Sequence, residues 1–182
     1  MTVKEILVNI RCLEYRQNKA DEDYGSCLYA RFYFNLVTYE LTIISDVGNY
    51  AYQWYATPAS ESFLELMARI TDDYLLNKLC GIPTEFDYEA TKSCFYDNAY
   101  DDIEEKWLDE IFEKIEDDDY IPESGEEFIE LFEGENNGSW MDIWDYCVYD
   151  YTPWQKKIVS VFKKHIQPAI RKIVNEESED KE

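Results

Sequence analysis

Residues 39–55 read YELTIISDVGNYAYQWY, and this stretch indicates a β-hairpin. The runs Tyr39–Ile44 and Tyr50–Tyr55 are rich in β-branched and aromatic residues, which favour strands. Between them lies Ser45–Asn49, a cluster of residue types that form turns. The stretch therefore predicts two antiparallel strands joined by a turn.

Two more strands are predicted upstream of the hairpin, because side chains alternate there with the period of a β-strand. The first run spans residues 6–13 and the second spans 27–36. One face of the second run carries Leu28, Ala30, Phe32 and Phe34. Together the runs predict an antiparallel meander of about four strands.

A helix is predicted directly after the sheet. It begins at the capping-box pair Ser62 and Glu65 and ends before Gly81 and Pro83. A meander alone leaves its apolar face in water, so we expect this helix to cover the sheet. Residues 1–84 are thus predicted to form an α+β unit. Its apolar helix face carries Phe63, Leu66, Met67, Ile70 and Tyr74.

Most of the negative charge lies in the next stretch. Residues 85–150 contain 24 carboxylates and three lysines, a net charge of −21 in a chain whose total is −23. The same stretch is rich in aromatic residues, which favours a folded unit over a disordered acidic tail. Apolar residues at helical spacing predict helices at 101–116 and 126–133. We expect residues 85–151 to form an acidic, mostly helical lobe.

The last predicted helix, at 152–175, is basic. Pro153 occupies its first helical position, and Pro168 is expected to kink it. Two roles are open: the helix lies against the acidic lobe and neutralises part of it, or its cations contact nucleic acid. Residues 176–182 are expected to form a disordered tail. The cations on its polar arc are Lys156, Lys157, Lys163, Lys164, Arg171 and Lys172.

The sequence offers little for catalysis. His165 is the single histidine and projects onto the edge of an apolar stripe, a position typical of a packing residue. The phosphate-binding loop, the dinucleotide fingerprint and the zinc-protease motif are absent. Five cysteines without C-x-x-C spacing fit neither a disulfide framework nor a zinc site. We expect no enzyme activity, no catalytic residue, no metal and no cofactor.

The acidic helix at 101–116 has nearly the charge density of a DNA strand. Its sixteen residues span about 24 Å. Its eight carboxylates give about one charge per 3 Å, close to the roughly 3.4 Å per phosphate along one DNA strand. Such a face would bind a Lys/Arg channel built for phosphates. The predicted phosphate mimics are Asp102, Glu105, Asp109, Glu113, Glu116, Asp117, Asp118 and Asp119.

A small, strongly acidic chain without catalytic motifs resembles the anti-CRISPR proteins of phages and mobile elements, particularly inhibitors of the type II single-effector nuclease. The segment Leu41–Trp54 and the following helix Ser62–Leu79 are similar to a module carried by such elements of Gram-positive gut bacteria. The resemblance implies which protein is bound and in which compartment the binding occurs. The protein would block the DNA-recognition or DNA-loading surface of a guide-RNA-loaded effector in the cytoplasm of the host bacterial cell.

Two other classes of function are open for this sequence. The runner-up is an acidic binding or immunity module that neutralises another basic nucleic-acid-binding protein, such as a restriction enzyme or a nuclease toxin. A metal-dependent enzyme would instead need a tight cation site.

No run of about 18 apolar residues occurs, so we expect no membrane contact.

Overall fold

The computed structural model describes residues 9–55, 61–99, 102–116, 120–135 and 142–179, and its fold is α+β, as predicted. The strands are β1 (Ile10–Arg16), β2 (Tyr29–Asn35), β3 (Glu40–Ser45), β4 (Gly48–Gln53), β5 (Glu85–Phe86) and β6 (Tyr149–Asp150). The helices are α1 (Phe63–Arg69), α2 (Asp72–Cys80), α3 (Tyr88–Asp97), α4 (Asp102–Ile115), α5 (Gly125–Glu135), α6 (Pro153–Val161) and α7 (Gln167–Glu179). A 3₁₀ turn spans Ile143–Tyr146, and a π-helical turn, Phe162–Ile166, joins α6 to α7.

The chain forms two compact units. The sheet unit comprises residues 1–82 and 153–182, and the acidic unit comprises residues 83–152. The basic helix predicted as a separate element is therefore part of the sheet unit. Charge follows the same division: the acidic unit has a net charge of −21, and the sheet unit holds the remaining −2 of the chain's −23.

The sheet is the predicted antiparallel meander, in the order β1-β2-β3-β4. Phe32 lies between Leu13 of β1 and Ile43 of β3, and its side chain is fully buried. Leu28 was expected on this buried face but is exposed. It precedes β2, and its N–H donates to the Asp46 carboxylate at 2.8 Å instead of joining the sheet. Residues 6–8 of the first predicted run lie outside the described residues.

The single helix predicted after the sheet is two helices. The capping box of Ser62 and Glu65 starts α1 as expected. At Ile70 the backbone becomes extended, with φ −56° and ψ 138°, and Thr71 then starts α2. The break leaves carbonyl groups at the end of α1 without the helical N–H groups that a continuous helix would supply.

Side chains of α7 donate hydrogen bonds to those carbonyl oxygens. The amide of Gln167 donates to the carbonyl oxygens of Met67 at 3.1 Å and Ile70 at 2.9 Å. Arg171 donates to the carbonyl oxygen of Ala68 at 2.9 Å. Gln167 is 1% exposed, so its amide is a buried part of the contact between α7 and α1.

The C-terminal helical segment supplies much of the sheet unit's core. Phe162 packs beside Phe32, with ring centroids 5.9 Å apart. The distortion expected at Pro168 is the π-helical turn just before it, consistent with a proline that has no N–H for the carbonyl four residues earlier. The disordered tail predicted from residue 176 is wrong for 176–179, which lie in α7. There Glu177 pairs with Arg11 of β1 at 2.8 Å.

The acidic unit has its own aromatic core. Both predicted helices are present as α4 and α5, and a third helix, α3, was not predicted. Phe95 of α3 stacks on Phe132 of α5, with ring centroids 4.7 Å apart. The ends of the unit are joined by a ladder in which β5 pairs antiparallel with β6. The fully buried phenylalanines are Phe95, Phe112, Phe128 and Phe132.

Candidate acidic interface

Helix α4 separates apolar from acidic side chains, as its sequence predicts. The buried side chains recur at the three- and four-residue spacing that forms one face of a helix. These are Leu108, Ile111, Phe112 and Ile115. The opposite face is exposed and carries carboxylates at Glu105, Asp109, Glu110 and Glu113. Of these, Glu110 was not among the predicted phosphate mimics.

Asp109 is held in place by a tyrosine of α3. The Tyr96 hydroxyl donates to Asp109 Oδ1 at 2.7 Å. Burial of the ring, together with this bond, raises the pKa of Tyr96 above its usual value, so the hydroxyl keeps its proton. The hydrogen bond leaves the negative charge of Asp109 on the exposed face but restricts its orientation.

Glu116, the residue that follows α4, forms an ion pair. Lys92 Nζ lies 2.6 Å from Glu116 Oε1, and the Tyr88 hydroxyl donates to the same oxygen at 3.0 Å. Burial and the bond to Glu116 raise the pKa of Tyr88. Glu116 is therefore a structural link between α3 and α4, and Lys92 neutralises much of its charge.

The remaining predicted mimics lie at the edges of the described structure. Asp102 begins α4, but its side chain is outside the described residues, as are Asp117, Asp118 and Asp119. Helix α5 adds acidic residues that were not predicted as part of the site. Its exposed carboxylates are Glu126, Glu130, Glu133 and Glu135. Glu135 pairs with Lys114 of α4.

Sequence reasoning missed α3 and with it the tyrosines that hold α4. A local signal was present: Asp87 is the N-cap, accepting from the N–H of Ala90 at 2.9 Å. Tyr88 and Phe95, seven residues apart, are both buried. The contacts from Tyr96 to Asp109 and from Tyr88 to Glu116 join residues far apart in sequence, so no local pattern shows them.

The cations of the C-terminal helix are mostly engaged within the sheet unit. Lys157 pairs with Asp23, and Lys163 pairs with Asp72 at 2.8 Å. Arg171 donates to the carbonyl oxygen of Ala68 in α1, and Lys172 lies 3.8 Å from Glu176 of its own helix. Lys156 and Lys164 are exposed. Direct contact between these six cations and nucleic acid stays a prediction.

Among the described residues, no group of three His, Cys, Asp or Glu side chains is placed to hold a metal ion. All five cysteines are free. Cys27 is buried, and burial raises the pKa of its thiol to about 12, so it is not a reactive thiolate at neutral pH. No helix within the described ranges is long and apolar enough to span a membrane.

Comparison with known protein families places the chain in a family of phage proteins. The model of a phage family, Phage_phiTE_072, matches residues 1–172. No curated protein and no solved structure matches the chain. Because the family match covers both units, from residue 1 into α7, the chain belongs to this phage family.

Proposed function

We propose that this phage-family protein uses its acidic unit to bind a basic nucleic-acid-binding protein of the host in place of nucleic acid. One observation carries the proposal. A net charge of −21 is concentrated on one compact unit with an ordered aromatic core, while the other unit has a net charge of −2. The charge is thus held on a folded scaffold.

The exposed face of α4 supports this proposal. Glu105, Asp109 and Glu113 follow one another every four residues, about 6 Å apart along the helix axis. Helix α3 braces this row through the hydrogen bond from Tyr96 to Asp109. Carboxylates held in position lose less conformational entropy on binding than flexible ones do.

Electrostatics set the expected behaviour of the complex. Like charges on one small unit repel one another and reduce its stability, so the charge is unfavourable for folding alone. A basic channel that binds the unit would relieve that repulsion. Because the attraction is ionic, association should be fast at low salt and should weaken as salt screens it.

The proposed partner is a guide-RNA-loaded type II CRISPR effector nuclease, and the proposed effect is a block of target DNA recognition or loading. Such an effector has a positively charged channel for nucleic acid. The phage family supports a role against a host protein. A restriction enzyme or a nuclease toxin presents a similar basic surface and is the alternative partner.

The test measures target DNA binding by the guide-loaded effector with the wild-type chain or a charge variant. The site variant combines Glu105→Gln, Glu110→Gln and Glu113→Gln, which are exposed. The control removes the same charge from the sheet unit with Asp73→Asn, Glu176→Gln and Glu179→Gln, also exposed.

We expect wild type and control to inhibit DNA binding, more weakly as salt rises. The site variant should inhibit about 10-fold less well, or worse, because it lacks three ionic contacts. Equal inhibition by both variants would contradict binding through α4. If neither the wild type nor the control affects the effector, the same assay with a restriction enzyme or nuclease toxin tests the alternative partner.

A further inference from the structure

The sheet unit contains a cleft that the acidic interface does not use. Its volume is about 490 Å³, within the range of small-molecule sites in proteins. It lies between the segment that follows β1 and the helical segment around the π-helical turn. The polar and aromatic residues that line it are Tyr15, Asp21, Glu22, Asp23, Lys157, Ser160, Lys164 and His165.

One wall of the cleft is basic. Lys157, Lys164 and His165 line it from the C-terminal helical segment. Lys164 and His165 lie within the π-helical turn. Lys157 donates to Asp23, but an ammonium group has three N–H donors, so others remain for a ligand. Lys164 is exposed.

The opposite wall is acidic and preformed. Asp21, Glu22 and Asp23 belong to a loop that Gln17 holds closed: its side chain accepts from the N–H of Gly25 at 2.8 Å and donates to the carbonyl oxygen of Asp23 at 2.8 Å. The bond from Lys157 is the largest cause that lowers the pKa of Asp23, to about 2. The two walls thus present opposite charges across one cleft.

An aromatic pair completes the lining. Tyr15 and His165 have ring centroids 4.8 Å apart with an interplanar angle of 37°. His165 is the only histidine of the chain. A planar, polarisable group offers a stacking surface to a second aromatic ring.

We propose that this cleft binds a nucleoside monophosphate. Lys157 and Lys164 supply charge-assisted donors for the phosphate. Asp21 and Glu22 supply acceptors for sugar hydroxyls, the role that acidic residues have in dinucleotide sites. Tyr15 and His165 supply the aromatic surface for the base. One ligand of this class therefore uses all three kinds of side chain in the cleft.

The single histidine makes the test direct, because the His165 imidazole gives the only histidine signals in a proton NMR spectrum. The full chain is titrated separately with AMP, GMP, CMP and UMP, and with inorganic phosphate and adenosine. Lys164→Ala removes one proposed phosphate contact. Lys172→Ala is the matched control: it is exposed, on the same helical segment, and does not line the cleft.

We expect at least one monophosphate to shift the His165 signals saturably, and more tightly than phosphate or adenosine. Lys164→Ala should weaken this binding about 10-fold, and Lys172→Ala should leave it unchanged. Absence of a saturable shift with any monophosphate up to about 10 mM would overturn the proposal. Equal weakening by both lysine variants would also overturn it, because that result indicates nonspecific attraction.

Discussion

The side chain of Gln167 in α7 donates a 2.9 Å hydrogen bond to the carbonyl oxygen of Ile70, the residue at which α1 ends. A residue close to the C-terminus thereby completes a helix that begins about a hundred residues earlier. The amide is buried, so water does not substitute for it. This contact, with the second one to Met67, allows the chain to break between α1 and α2.

Replacing Gln167 with Met should destabilise the sheet unit. The substitution keeps similar volume but removes both N–H donors, so the Met67 carbonyl loses its side-chain partner, while the Ile70 carbonyl keeps a 3.3 Å hydrogen bond from Lys163 Nζ. We expect the free energy of unfolding to fall by about 1–3 kcal/mol, the cost of one unsatisfied buried polar group. Urea unfolding measures the change. Asn175→Leu, at an exposed position of α7, is the control and should change it by less than about 0.5 kcal/mol.

Phe95→Ala should destabilise the acidic unit selectively. Phe95 is fully buried and stacks on Phe132, so its removal leaves a cavity that costs about 3–5 kcal/mol. Hydrogen exchange should show faster exchange of the α5 amides, with those of β2 and β3 unchanged. Phe34→Ala, in the core of the sheet unit, should give the reverse pattern. Equal acceleration in both units would show that they unfold together.

Salt should stabilise the acidic unit. Screening weakens the repulsion within a unit of net charge −21, whereas the sheet unit, at −2, has little to screen. The melting temperature of the acidic unit should therefore rise with sodium chloride, and the rise should be smaller in the triple variant Glu105→Gln, Glu110→Gln and Glu113→Gln. A flat or falling melting temperature would mean that local ion pairs outweigh the repulsion.

The acidic unit should lose stability in alkali. The pKa values of Tyr88 and Tyr96 are raised in the folded state, so the fold favours their neutral forms. That contribution is complete below the unfolded tyrosine pKa of about 10 and is lost as pH rises above it. The double variant Tyr88→Phe, Tyr96→Phe should lose less stability between about pH 9 and 11. Tyr55→Phe, at a 95% exposed position, is the control and should behave as wild type.

Local patterns were sufficient for the meander and for α4, but not for the bounds of the first strand, which was predicted at 6–13 and lies at Ile10–Arg16. Alternation in the strands and the turn residues between Ser45 and Asn49 give the meander, because each signal lies within a few residues of the structure it predicts. In α4 the helical spacing of apolar residues likewise matches the buried side chains Leu108, Ile111, Phe112 and Ile115, while Trp107, on the same stripe, is only partly buried. Local sequence predicts such features well, because the spacing of apolar residues follows the period of the strand or helix that they form.

Features that depend on distant residues were not predictable in this way. The break at Ile70 relies on Gln167, and the orientation of Asp109 relies on Tyr96. The pairing of Glu116 with Lys92 removes a predicted phosphate mimic from the free charges of the face. In each case the deciding partner lies on another helix, so only the tertiary structure reveals it.

The division of the chain into units also sets the order in which they can fold as a ribosome makes them. The acidic unit is one uninterrupted stretch, residues 83–152, and all of its core is synthesised before α6 begins. The sheet unit needs Phe162, Ile166 and Ile170 for its core, so it stays incomplete until residue 170 has been added. Of the two units, the acidic unit is therefore the first whose core is complete during synthesis, while strands β1–β4, although made earlier, lack the helix that covers them until later.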